Sequence, residues 1–266
     1  MTNPIRRPEY SPAETVEQAL KRWWIIVLLT VLGGAAGWLF HILEPPVYEA
    51  TAVITGSMHF EQRQLTQAEE DIAYSNATAV VSAPSVTNQA FADAQAQGLS
   101  FNHNTPELFL EIKGSLWELH VRDRTPQVAA DLANIWAQRA YKTLNEAREH
   151  AYRAEQIQNE LTALQNCLSY QIQTSGMSQN SPTSVCENST LAEVQTAIDN
   201  QSSQLIIEKN LSLGVLSILD FTLTGPASVP DSPVLYDRAK LTFAGACIGF
   251  IISLWAINFH KVKQYD

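Results

Sequence analysis

Apolar residues in this chain follow three different rules, and each rule specifies a different kind of element. The first is continuity. Trp23 to Leu43 and Leu241 to Phe259 contain no Asp, Glu, Lys or Arg. A helix rises ~1.5 Å per residue, so about 20 such residues cross a hydrocarbon core of ~30 Å. Both stretches are therefore predicted transmembrane helices. Trp23, Trp24 and Trp38 stand near the ends of the first, at the depth amphipathic rings prefer. A cleaved signal peptide is disfavoured, because the apolar run is too long and no Ala-x-Ala site precedes Glu44-Pro45-Pro46.

The second rule is alternation. Tyr48 to Thr55 is rich in β-branched residues and reads as a strand. In Ser115 to Arg122, the set Leu116, Glu118, His120 and Arg122 alternates with Trp117, Leu119 and Val121, which makes it the best second strand. Gly214 to Thr224 reads as a third, ended by Gly225-Pro226. Between the first two strands the pattern weakens. Gln62 to Ser75 is expected to be loop with some helix, and Pro84 to open a helix that runs to Ala96, before Gly98.

The third rule is a stripe at steps of three and four. Thr125-Pro126 opens a segment with no further Pro or Gly until Gly176. Its apolar positions include Val128, Leu132, Ile135, Leu144, Ala147, Ala151, Ala154, Ile157, Leu161, Leu164 and Leu168. A helix of about 43 residues, ~65 Å long, is predicted. A polar loop follows, then a shorter return helix marked by Leu191, Val194, Ile198 and Leu205. The two arms form a helical hairpin at about residues 126–211. The return arm is about half as long as the first, so part of the stripe is expected to lack a partner within one chain. Leu144, Ile157, Leu161 and Leu164 are the expected seam to further copies, with Gly245 and Gly249 as a small-xxx-small pair in the second span.

Charge fixes an expected orientation. Arg6, Arg7, Lys21 and Arg22 precede the first span, and His260, Lys261 and Lys263 follow the second. The positive-inside rule places both termini in the cytoplasm, with 1–22 and 260–266 inside and 44–240 exported. Arg238 and Lys240 oppose this at the near end of the second span, where the first span sets the orientation. Segment 44–240 holds 23 acidic and 11 basic residues, a net of −12. That surface argues against nucleic-acid binding.

Candidate chemistry is sparse. There is no phosphate-loop glycine motif, no Gly-x-Ser-x-Gly and no His-Glu-x-x-His. His41, His59, His103, His120, His150 and His260 show no metal-ligand spacing. Glu69, Glu70 and Asp71 read as a solvated charge run, and Trp117 and Trp136 as core residues rather than sugar platforms. No catalytic, metal or cofactor site is expected, and the chain is not expected to be an enzyme. Cys167 and Cys186 both fall in the exported segment, bracket the hairpin loop and are expected to pair in an oxidising compartment. Pro230 and Pro233, in Ala227 to Pro233, predict a stiff, extended approach to the second span.

The order of these parts resembles the Wzz-type polysaccharide co-polymerases. The sharpest local matches are Tyr48-Glu49-Ala50 after the first span and Ala227 to Pro233 before the second. The resemblance implies an α+β fold: a membrane-proximal mixed α/β exported domain with a long helical hairpin, flanked by two transmembrane helices. It implies a bacterial inner-membrane scaffold that regulates the chain length or export of a surface polysaccharide. The implied partners are further copies of the chain, a polysaccharide polymerase or flippase, and the nascent glycan. Some relatives carry a tyrosine kinase domain after the second span; here only His260 to Asp266 follow it, so a kinase partner is expected to be a separate chain. Two other readings are a two-span sensor with an extracytoplasmic ligand-binding domain, and an exporter adaptor. The first lacks a cytoplasmic output module in the short flanks. The second is disfavoured by two terminal spans.

Overall fold

A computed structural model describes residues 23–58, 65–101, 106–174 and 190–262. The elements run α1 (Trp23–Leu43), β1 (Tyr48–Met58), α2 (Gln67–Val81), α3 (Pro84–Ala96), β2 (Glu107–Lys113), β3 (Leu116–Asp123), α4 (Pro126–Thr174), α5 (Leu191–Leu211), β4 (Leu219–Gly225) and α6 (Arg238–Val262). The fold class is α+β, as expected. The chain forms two compact units. One holds the two long apolar helices with the segments that flank them. The other holds Ala50–Arg122 and Gln127–Val229.

In the first unit, α1 and α6 pack side by side, and both are long and apolar enough to cross a membrane. Their contact is made of backbone. A Cβ added at Gly33 would overlap the carbonyl of Gly245, one at Gly37 the carbonyl of Leu241, and one at Gly249 the carbonyl of Leu29. Only glycine permits that approach, which brings main-chain atoms of both helices into van der Waals contact over two turns.

In the second unit a four-stranded sheet has the order β2-β3-β1-β4. β2 and β3 form an antiparallel hairpin that pairs Glu107 with Arg122 and Lys113 with Leu116, and β4 runs antiparallel to β1. The alternation read in β3 sends Trp117, Leu119 and Val121 into the core, all fully buried. Ala50, Ala52 and Ile54 of β1 and Leu219 and Phe221 of β4 join them. The helices contribute mostly alanine: Ala73 and Ala77 from α2, Ala90 and Ala94 from α3, and Ala129, Ala133, Ala137 and Ala140 from α4. Small side chains bring helix backbones close to the sheet, and two indoles fill what remains. Trp117 Nε1 donates to Thr78 Oγ1 at 2.8 Å, and Trp136 Nε1 to the Val81 carbonyl at 3.3 Å. Each buried indole N–H thus has an acceptor, which its burial requires.

Helix ends follow local chemistry. Thr66 caps α2 in a reciprocal box with Glu69, and Thr190 caps α5 with Glu193. Pro84 sits in the first turn of α3. At 49 residues, α4 is longer than expected and extends ~74 Å. Two features differ from the sequence reading. β2 is an additional strand. The segment 214–218 turns rather than extends, so the last strand starts at Leu219. Leu213 and Gly214 both take positive φ, 52° and 77°, and Asn76 Nδ2 donates to the Gly214 carbonyl at 2.9 Å. That reversal uses up the apolar run before β4 begins.

Two outcomes check these contacts. A Cβ at Gly56 would lie 2.6 Å from the Trp117 ring. Gly56→Ala should therefore lower stability by about 1–3 kcal/mol, the usual range for overpacking, read from denaturant unfolding followed by Trp fluorescence. Gly245→Leu should separate α1 from α6. Engineered cysteines across the pair should crosslink readily in the parent and poorly in the variant.

Candidate functional site

The surfaces with functional content are the paired helices, the short segments beside them, the α4–α5 hairpin and a groove along α4.

Beside the paired helices, the segment leaving α1 is clipped to the segment entering α6. Val47 N–H donates to the Leu235 carbonyl at 3.1 Å, and Val234 N–H to the Val47 carbonyl at 2.9 Å. His41 Nδ1 lies 2.8 Å from the Tyr236 carbonyl, and the Phe40 and Tyr236 rings meet at 6.1 Å. Tyr236 has φ of 57°, an uncommon conformation for a side chain of this size. Asp237 then starts α6 by accepting from Ala239 N–H at 2.8 Å. Pro230 and Pro233 lie in the non-helical stretch just before this clip. Upstream, Asn134 of α4 holds Ala227 at both ends of its peptide unit: its amide donates to the Ala227 carbonyl at 3.0 Å and accepts from the Ala227 N–H at 2.8 Å.

The hairpin closes on itself more fully than expected. Cys167, Val194 and Ile198 form a small buried cluster with Leu164 and Leu168 against it. Leu144 is fully buried in the main core and Leu161 is 5% exposed, both within one chain. Of the expected seam residues, these two do not face outward, because the return helix and the sheet layer between them cover the stripe. Leu164 is half-buried in the hairpin cluster. Ile157 is half-buried and, with Ile207, lines a cavity of about 430 Å³. Gly245 and Gly249 are likewise used within the chain, against α1. Cys167 is not a free thiol, whereas Cys247 is. Cys186 lies outside the described residues, so its pairing with Cys167 stands as a proposal.

Polar contacts fasten the two arms. His150 Nδ1 lies 2.7 Å from Glu208 Oε2, to which Arg153 Nε donates at 3.2 Å, and Gln201 donates to Glu160 at 3.0 Å. The hydrogen bond from His150, with help from the Arg153 charge, holds the Glu208 carboxyl below the usual carboxylate range. Next to this ladder, a groove of about 990 Å³ runs between α4 and the 212–220 turn. Arg148, Tyr152, Gln156, Asn159, Lys209 and Ser217 line it. Arg148 pairs with Asp220, and Ser217 donates to Glu155 at 2.6 Å. The groove thus offers a half-exposed aromatic ring among amides and charges.

Comparison with known proteins adds the following. Residues 14–105 match the family model described as Wzz, chain length determinant protein. No curated protein matches the chain. Among solved structures, a full-length bacterial polysaccharide co-polymerase is 13% identical, covering 96% of this chain and 99% of its own, with a TM-score of 0.41. The wild-type Shigella flexneri lipopolysaccharide O-antigen chain-length regulator is 16% identical over 69% of this chain and 98% of its own, at 0.19. A fragment of WzzB, a polysaccharide co-polymerase from Salmonella Typhimurium, is 14% identical over 70% and 98%, at 0.24. At these TM-scores the three likenesses carry no argument. The family match does, and the residues it covers include α1, β1, α2 and α3. Residues 14–105 of this chain are thus similar to the Wzz chain length determinant family.

Proposed function

We propose that the chain regulates the chain length of a surface polysaccharide from the bacterial inner membrane, as a non-enzymatic scaffold acting with a membrane polymerase or flippase. The family match over residues 14–105 is the observation that carries this reading. The topology proposed is two spans with both termini cytoplasmic and 44–240 exported, supported by the two long apolar helices and the basic residues outside them. Nascent glycan is proposed to pass along the α4 groove, where Tyr152 offers a stacking face and Gln156, Asn159 and Lys209 offer hydrogen bonds.

Self-association is proposed to use the outer face of α5 and the turn after it. Ile206 and Ile207 are 62% and 56% exposed, and Leu211 and Leu213 continue the apolar surface. This face replaces Leu144 and Leu161 as the expected seam, with Ile157 retained. The formal charge of −10 opposes association, so salt should strengthen it where like charges meet. In mild detergent and in nanodiscs, light scattering should report an oligomer. Ile206→Glu with Ile207→Glu should shift it toward monomer while leaving the circular dichroism spectrum unchanged. A parent chain that is monomeric in both settings would remove the scaffold mechanism.

The function itself is checked in the host. Deleting the gene should broaden the length distribution of one surface polysaccharide on a gel, and the parent gene should restore it. Pro230→Ala with Pro233→Ala should insert normally yet give a different modal length. An unchanged distribution after deletion would end the proposal.

A further inference from the structure

The sheet face away from the helices carries a cluster that neither the scaffold reading nor the core requires. Glu111 and Glu118 are direct cross-strand partners on β2 and β3. Two carboxylates placed opposite each other repel unless a cation lies among them. His120 follows Glu118 by two residues, so it projects from the same face, opposite Phe109. Its ring stacks on Phe109 at 4.7 Å with the planes 1° apart, and its Nδ1 lies 2.9 Å from Thr51 Oγ1 on β1. The residue is 7% exposed. The ring is thus held from two sides, with Nε2 turned toward the carboxylates.

Nε2 lies 3.5 Å from Glu111 Oε2 and 3.5 Å from Glu118 Oε2. One ligand atom from each residue falls within 4.8 Å of the other two. An N–H···O hydrogen bond is normally ~2.7–3.2 Å. Zinc bonds of ~2.0–2.2 Å at tetrahedral angles place neighbouring ligand atoms ~3.4 Å apart. The spacing matches a shared metal ion better than a shared proton.

We propose that Glu111, Glu118 and His120 form a site for a divalent transition-metal ion of the zinc class, with water completing the sphere. One imidazole nitrogen and two carboxylates suit zinc better than calcium or magnesium, which favour all-oxygen shells. Thr51 acts as the outer partner that orients the histidine. Lys113 is the built-in competitor: its ammonium donates to Glu118 at 2.7 Å and lies 3.5 Å from Glu111. Metal entry displaces the ammonium to solvent, where half of the Lys113 side chain already is.

The test uses the full-length, untagged chain, stripped with chelator, in nanodiscs at pH 7. Titration with Zn2+ against a chromophoric chelator should give one equivalent per chain, and Co2+ should give the visible bands of a tetrahedral site. Glu111 is half exposed, so Glu111→Gln should leave the fold intact while weakening binding at least about tenfold. Thr51→Val should weaken it by roughly 10–100-fold, the usual effect of removing an outer partner. Lys113→Met should tighten it, which a purely structural ion pair would not produce. Cys247→Ser should change nothing. Absence of stoichiometric binding, or equal affinity in the parent and Glu111→Gln, would overturn the site.

Discussion

Everything in the membrane-type unit depends on two helices touching through their backbones. In lipid, apolar surface gives no net drive for helices to pair, so the pairing needs close packing instead. Gly33, Gly37, Gly245 and Gly249 supply it by removing the side chains that would hold the axes apart. Gly33 and Gly37 on one helix face Gly245 and Gly249 on the other, so the fit is reciprocal. Dispersion between main-chain atoms is weak per pair and adds up along the seam. The clip at Val47 and Leu235 then closes the same pair where the chain leaves and re-enters it.

The other unit solves a different problem. Its helices are rich in alanine, which buries little area per residue. Close approach compensates, since it lets Trp117, Trp136 and Phe221 reach across from one layer to the next. Fully buried rings of that size tolerate little change beside them, and Gly56 under Trp117 is the tightest example. Arg139 of α4, whose Nε donates to Asp93 of α3 at 2.9 Å, adds a charged bond at the edge of the same layer.

Much of this was legible in the sequence. Unbroken apolar runs gave α1 and α6, and strict alternation gave β3 with the correct inner face. Thr125-Pro126 and the lack of Gly or Pro gave the long helix. The misses have physical causes. β2 hides its alternation because Phe109 shares the outer face with Glu107, Glu111 and Lys113, so Leu108-Phe109-Leu110 reads as an unbroken apolar run. Helix α2 buries Ala73 and Ala77, whose small side chains leave a faint period. The stripe on α4 looked unpartnered because sequence length of the return arm says nothing about the sheet layer that covers Leu144. The Glu111, Glu118 and His120 cluster is invisible to spacing rules, since strand pairing rather than helical periodicity brings its members together.

The hairpin has its own small core at Cys167, Val194 and Ile198, separate from the large one that ends near Ala147. Between them, α4 and α5 touch through polar pairs and intermittent apolar residues. Such a zone can change length without disturbing either core. Adding or removing seven residues from each arm restores the same faces, since seven residues make nearly two full turns. Each such step moves the distal cluster by ~10 Å along the helix axis. Reach along the hairpin can thus change by insertion or deletion in this chain, while the sheet, its packed helices and the Asn134 hold on Ala227 stay unchanged.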